Sequence, residues 1–412
     1  MIKFSKNIYQ ILGLAILKTS ILIKVNRIRR KNFKFDFAIK TFSVFNKHVF
    51  FGYYDLNPIS QDNQKVLSIV VPKSKITNIS AEVGYFDLNK NKKFHPIGTT
   101  KTWCWQQGAR LRWSTKDADT IIYNNIDNNQ YGCVFQNIIN KNVLKQVSYP
   151  IYDLSKDEKK GLSLNFSRLQ RLRPGYGYDA FPDASINNRA SDKDGIFLID
   201  IEKNTSKLII SLKNISEIQP HHSMNGADHY INHLSWNKSS TRFLFFHLWT
   251  NKKTRSSRLF TADKNGQNIY LLENEEIVSH YDWKDDDFIC MTTHSKNFGL
   301  RYSIYKDLSS DRKILNSKLL TKDGHPTFHP VYNHILLTDT YPNKYGERTL
   351  FSFNTEKNEP HSLGNYKSPL KYRKDYRCDL HPRWSNDGKL ISFDSTHTNQ
   401  RTLNIIGFEE FK

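Results

Sequence analysis

Residues 379–393 read DLHPRWSNDGKLISF. Trp384 closes a short entry strand, Ser-Asn-Asp-Gly at 385–388 is a turn-forming sequence, and Leu390 to Phe393 supplies the next strand. The same unit can be laid over the chain by phase from Tyr53 onward. Turn and second strand recur at 60–69, 114–123, 155–164, 237–246, 284–291 and 329–338.

Third strands follow in the same order, at 84–88, 134–138, 196–200, 259–263, 302–305, 350–353 and 403–406. Seven entries matched by seven third strands predict an all-β chain folded as a seven-bladed β-propeller, with a pair of β-sandwiches as the alternative. The repeat resembles the PxWSPDGKxIxF unit of the Tol-type propellers. Propeller 33–412 carries one interruption, at about 165–195, expected to lie over a rim as a lid or binding loop. Whether the chain before Tyr53 adds a strand to the last blade stays open at this level.

The 412 residues are 38% hydrophobic and 13% aromatic with 18 glycines, which excludes collagen-like and disordered chains. The formal net charge of +21 calls for an anionic partner: nucleic acid, anionic lipid or acidic polysaccharide. No RNA-binding aromatic motif, zinc finger or helix-turn-helix is present, which argues against nucleic acid. Cys104, Cys133, Cys290 and Cys378 are widely spaced and read as reduced core thiols.

Residues 1–32 form a separate basic segment. Its apolar run at 8–17 is too short to span a bilayer, and the second run at 21–25 precedes Arg27, Arg29, Arg30 and Lys31. That pattern predicts a short basic amphipathic helix on an anionic membrane surface, favouring a cytoplasmic membrane-associated monomer. A signal peptide with a periplasmic or secreted product, and a helix packed on the propeller's side, are the alternatives.

Three residues before the aromatics Trp236, Trp283, Phe328 and Trp384 stand His233, His280, His325 and His381. Equivalent positions on innermost strands form an arc around the channel, so four imidazoles are expected to converge there. The other three blades carry Leu56, Arg110 and Ile151 instead, which speaks for a polarised site over a packing consensus. Clustered imidazoles ligate divalent metals or act as bases near neutral pH.

Residues 232–406 resemble the oligogalacturonate lyases and, more loosely, other propeller lyases of uronate polysaccharides. The resemblance implies a catalytic pair, Arg258 in Ser-Arg-Leu-Phe260 and His280 in Ser-His-Tyr-Asp-Trp283. It also implies a divalent metal, Mn2+ or Ca2+, held by His325, Asp379 and His381. Asp379 stands where the family has a histidine and Tyr376 where it has a glutamine, so the metal is weaker, different or absent here. Within that frame neutral His280 is the base for β-elimination and Arg258 the cation that neutralises the uronate carboxylate.

Arg168, Arg171, Arg173, Tyr176 and Tyr178 of the interruption are candidates to grip an acidic glycan, against the alternative of a solvated basic loop. Gln107, Arg110 and His233 are further candidates to line the wall. Two functions stay open: a lyase of an acidic, uronate-containing polysaccharide, or a non-catalytic propeller binding such a glycan during synthesis or export. A hydrolase is disfavoured, since no GxSxG elbow occurs.

Overall fold

The computed structural model describes residues 38–409, apart from 75–78, 91, 252–253, 275–276 and 296–298. The strands form seven four-stranded antiparallel sheets. Blades one to six span 47–100, 112–147, 153–211, 228–273, 277–315 and 327–367; blade seven is 383–407 completed by Lys40–Phe42. Every second and third strand expected from the repeat coincides with a strand of the corresponding blade, with only Leu88, Ile138 and Leu164 lying one residue past a strand end. The basic segment 1–32 lies outside the described residues, and no described helix is long and apolar enough to cross a membrane.

The open question about closure is answered by Lys40–Phe42, which pairs with blade seven in the register Lys40 to Ile405 and Phe42 to Leu403. A ring of blades must join its ends, because an open seam would expose two blade faces to water. Phe42 is buried and meets Phe86 of blade one with ring centroids 5.2 Å apart, while Val49 donates its N–H to the Arg401 carbonyl at 3.1 Å. His48 sits on the same seam, its Nδ1 accepting the Arg401 N–H.

Second strands are buried almost throughout, as at Val66–Val71, because each blade is covered on both faces by its neighbours. The aromatic ending an inner strand ties adjacent blades: the indole N–H groups of Trp113, Trp283 and Trp384 donate to the carbonyls of Pro58, Ser235 and Thr327, each in the preceding blade. All four cysteines are free and buried, and burial pushes the Cys104 thiol up to about 12.

The interruption in blade three is packed inward. Asn165 caps a short helix, Phe166–Leu172, by accepting the Arg168 N–H. Arg168 is itself buried and donates to the carbonyls of His229, Ser185, Asn188 and Arg189, so its charge fastens the loop to blade four.

Two predictions concern the seam. Phe42→Ala should cost about 3–5 kcal/mol, read by urea denaturation, because it opens a cavity across the closing joint. Burial first, then Arg401, lowers the His48 pKa to about 3, below the 6.5 of an unfolded histidine. Between those values the unfolded chain binds a proton that the folded seam refuses, so stability falls as pH drops from 6.5 towards 3. His48→Gln should flatten that dependence in thermal melts taken across the window.

Candidate functional site

The inner strands do not run straight past the axis. Pairing breaks between Asn232 and Ser235 in blade four and between Val278 and Tyr281 in blade five, so His233 and His280 stand on bulges. Arg110, His233 and His381 adopt positive φ of 52°, 58° and 45°, a conformation costly for such side chains. His233, His280, His325 and His381 are all buried, and three of them adjoin: ring centroids are 4.2 Å apart for His280 and His325, and 4.4 Å for His325 and His381.

Each of these three rings has one nitrogen fixed. His280 Nδ1 lies 2.9 Å from Asp323, His325 Nδ1 2.7 Å from Asp339, and His381 Nδ1 2.7 Å from the Gly52 carbonyl. An acceptor at Nδ1 requires the proton there, which leaves Nε2 as a bare lone pair in a neutral ring. The Nε2 atoms of His280, His325 and His381 are buried and have no hydrogen-bond partner. Burial lowers the His280 pKa against the opposing pull of Asp323, and burial holds His381 well below its ordinary value.

His325, Asp379 and His381 each bring one ligand atom within 4.8 Å of the others. Asp379 is a strong carboxylate: burial works against its charge, but Arg377 at 2.7 Å and Arg348 at 3.2 Å hold it well below the usual range. Tyr376 faces elsewhere, among His48, Trp105 and Tyr372 on the seam.

Blade one plugs the remaining channel. Tyr53 stacks on His233 at 5.2 Å and meets His381 edge-on at 4.8 Å, and its hydroxyl is buried without a partner. The Tyr54 hydroxyl donates to the Tyr281 carbonyl and accepts the Tyr281 N–H, each at 3.0 Å, which joins blades one and five across the axis. Asp394 holds this turn by accepting the N–H groups of Phe51 and Gly52.

The insertion supplies the upper wall. Arg173 lies 4.0 Å over the Tyr176 ring, its Nε has no partner, and its charge contributes to lowering His233 and His280. Arg377 donates to the Tyr176 hydroxyl; burial raises that phenol, but Arg173 and Arg377 outweigh it and leave its pKa lowered. Tyr341 closes over the rings of His280 and His325, 5.9 Å from each.

The other sequence candidates are placed apart from this wall. Arg258 is buried in a third strand, donating to His247 Nδ1 and to the carbonyls of Ile215, Ile218 and Gln219. Among the described residues, no hydrogen bond or ion pair joins it to His280. Arg110 makes a two-pronged ion pair with Asp55 at 2.9 and 3.0 Å and donates to the Tyr152 carbonyl. Gln107 donates to the Tyr152 hydroxyl and Asn232; Arg171 pairs with Asp183; and Tyr178 stacks on Phe166 with its hydroxyl on Asn124. Asp323, Asp339, Arg348, Arg377, Tyr341 and the Tyr53–Tyr54 pair escaped sequence reasoning. The signals were Asp323 two residues before His325 and Arg377 two before Asp379.

No family model matches the chain, and no curated protein matches its sequence. Solved structures match along nearly its whole length. An oligogalacturonate lyase in complex with manganese has a TM-score of 0.65 at 14% identity, over 92% of this chain and 97% of that one. An oligogalacturonate lyase from Vibrio parahaemolyticus gives 0.63 at 12% identity, over 92% and 99%. A chain of a mitotic checkpoint complex gives 0.53 at 10%, over 92% and 94%. The chain therefore has the seven-bladed propeller fold that oligogalacturonate lyases share with unrelated proteins, as the repeat and the resemblance predicted.

Arg258→Ala should act on stability. It strands several buried carbonyls and is expected to cost roughly 3–5 kcal/mol in chemical denaturation.

Proposed function

We propose that the chain is a lyase-type propeller that cleaves an acidic, uronate-containing polysaccharide by β-elimination at the histidine cluster. The observation that carries this reading is a buried, neutral His280 with a bare Nε2 beneath arginines whose donors are not all committed. Elimination needs both. A base takes the proton at C5 of the uronate, the electron pair forms the C4–C5 double bond, the C4–oxygen bond breaks, and the departing oxygen takes up a proton. A cation must meet the carboxylate as charge develops on it.

His280 Nε2 is the base in this reading, oriented at Nδ1 by Asp323, whose carboxylate also accepts the hydroxyls of Ser279 and Thr292. Arg173 takes the charge-neutralising role, since Arg258 is spent on backbone carbonyls. Tyr176 and Tyr341 offer ring faces for the sugar.

The donor set fits a divalent cation. Two buried imidazoles present unpartnered Nε2 atoms with Nδ1 anchored, the usual arrangement of ligating histidines, and Asp379 adds an anionic oxygen. His325, Asp379 and His381 would hold it, and the ion would supply a Lewis acid for the carboxylate.

The ultraviolet absorbance of an unsaturated uronate, followed over a panel of acidic glycans, tests the reading. Product is expected from the wild type, with a loss of at least about a hundredfold in both His280→Ala and Arg173→Ala. Binding without product on every glycan would make the chain a non-catalytic binding propeller. Separately, Mn2+ titration monitored by electron paramagnetic resonance should show one site that His325→Ala and His381→Ala each abolish.

A further inference from the structure

Two grooves of equal volume, about 690 Å³, open among the turns that follow the inner strands, with none of the clustered histidines in their lining. Both lie between neighbouring blades, and their chemistry differs. The groove between blades one and two carries Asp55, Asp62 and Asp119 against Lys65 and Arg112. The groove between blades three and four carries Lys116, Lys156, Lys159, Lys160 and Lys264 against Asp157 alone. Lys160 pairs with Asp200. The other four make no ion pair among the described residues, and Asp157 turns its Oδ1 back onto Ser155 and the Lys159 N–H of its own turn.

The floor of the lysine groove departs from the blade pattern. Trp236 occupies the position of Trp113, Trp283 and Trp384, whose indoles each donate to the preceding blade. Trp236 lines the groove, is 7% exposed, and its buried Nε1 has no acceptor. The joint between blades three and four thus lacks the bond that three other joints make, and the space is bordered by hydroxyls such as Ser239 and Thr241.

We propose that this groove is a second binding site, taking an anionic saccharide whose carboxylate or sulfate groups meet the lysines while its ring lies against the exposed edge of Trp236. An indole edge, several hydroxyls and a rim of five lysines against one lining carboxylate match a charged sugar in each part, and the volume is that of a small-ligand site. A simple solvated lysine patch would explain neither the missing indole bond nor the contrast with its acidic twin. The site shares no lining residue with the channel cluster and is independent of the elimination chemistry.

The test uses the full chain carrying His280→Ala and Arg173→Ala, which silences the channel site, with a labelled oligogalacturonate and a heparin oligosaccharide as probes. Binding of at least one probe is expected, weakened by rising salt and accompanied by a change in tryptophan fluorescence. Adding Lys116→Glu, Lys156→Glu, Lys159→Glu and Lys264→Glu should weaken it at least roughly tenfold. Trp236→Phe should remove the fluorescence change. Unchanged affinity in the lysine variant, or a fluorescence change that survives Trp236→Phe, overturns the proposal. So does capture by phosphatidylglycerol vesicles with neither saccharide bound.

Discussion

Three imidazoles from consecutive blades have each surrendered one nitrogen to a fixed acceptor, and the arrangement of the channel follows from that. Asp323, Asp339 and the Gly52 carbonyl fix the protons on Nδ1, so three lone pairs remain at Nε2 within a buried space. Buried polar atoms without partners are costly, and a fold retains them where a ligand or a proton completes them. The positive φ at His233 and His381 and the broken pairing in blades four and five are the backbone's share of that cost. Even the turn in blade one serves the cluster, since Asp394 holds the segment whose carbonyl receives His381.

The arginines divide by what surrounds them. Arg110, Arg168 and Arg258 lie inside the propeller with carboxylates or backbone carbonyls about them, and they join elements distant in sequence. Arg173 and Arg377 stand above the histidines, one with an unpartnered Nε and the other shared between Asp379 and Tyr176. A high net charge alone does not distinguish these uses. Geometry does: Arg258 of a blade strand is held by backbone carbonyls, while Arg173 of the insertion keeps an unpartnered Nε above the histidines.

Much of the fold was legible because a propeller repeats its physics. Each blade needs an aromatic or aliphatic residue at the end of its inner strand, Ile59 and Leu154 in two of them, then a turn and two buried strands, so 379–393 could be slid along the chain and found seven times. The histidine arc was legible for the same reason, being one position read in four blades. Contacts made once were not legible. Tyr54 reaches Tyr281 across the axis and Gly52 reaches His381 over the closing seam, and no periodicity marks such pairs. Arg258 shows the converse: its place in a strand motif resembled a catalytic arginine, but the helix Leu212–Glu217 and the turn after it give its guanidinium a different occupation.

The central claim concerns protonation, and it is tested most directly by long-range proton–nitrogen correlation spectra of the histidine side chains in metal-free protein at neutral pH, assigned with single histidine variants. The account predicts that His280 and His381 are both neutral, with the proton on Nδ1 and an unprotonated Nε2. Protons on Nε2, or doubly protonated rings at these positions, would contradict it.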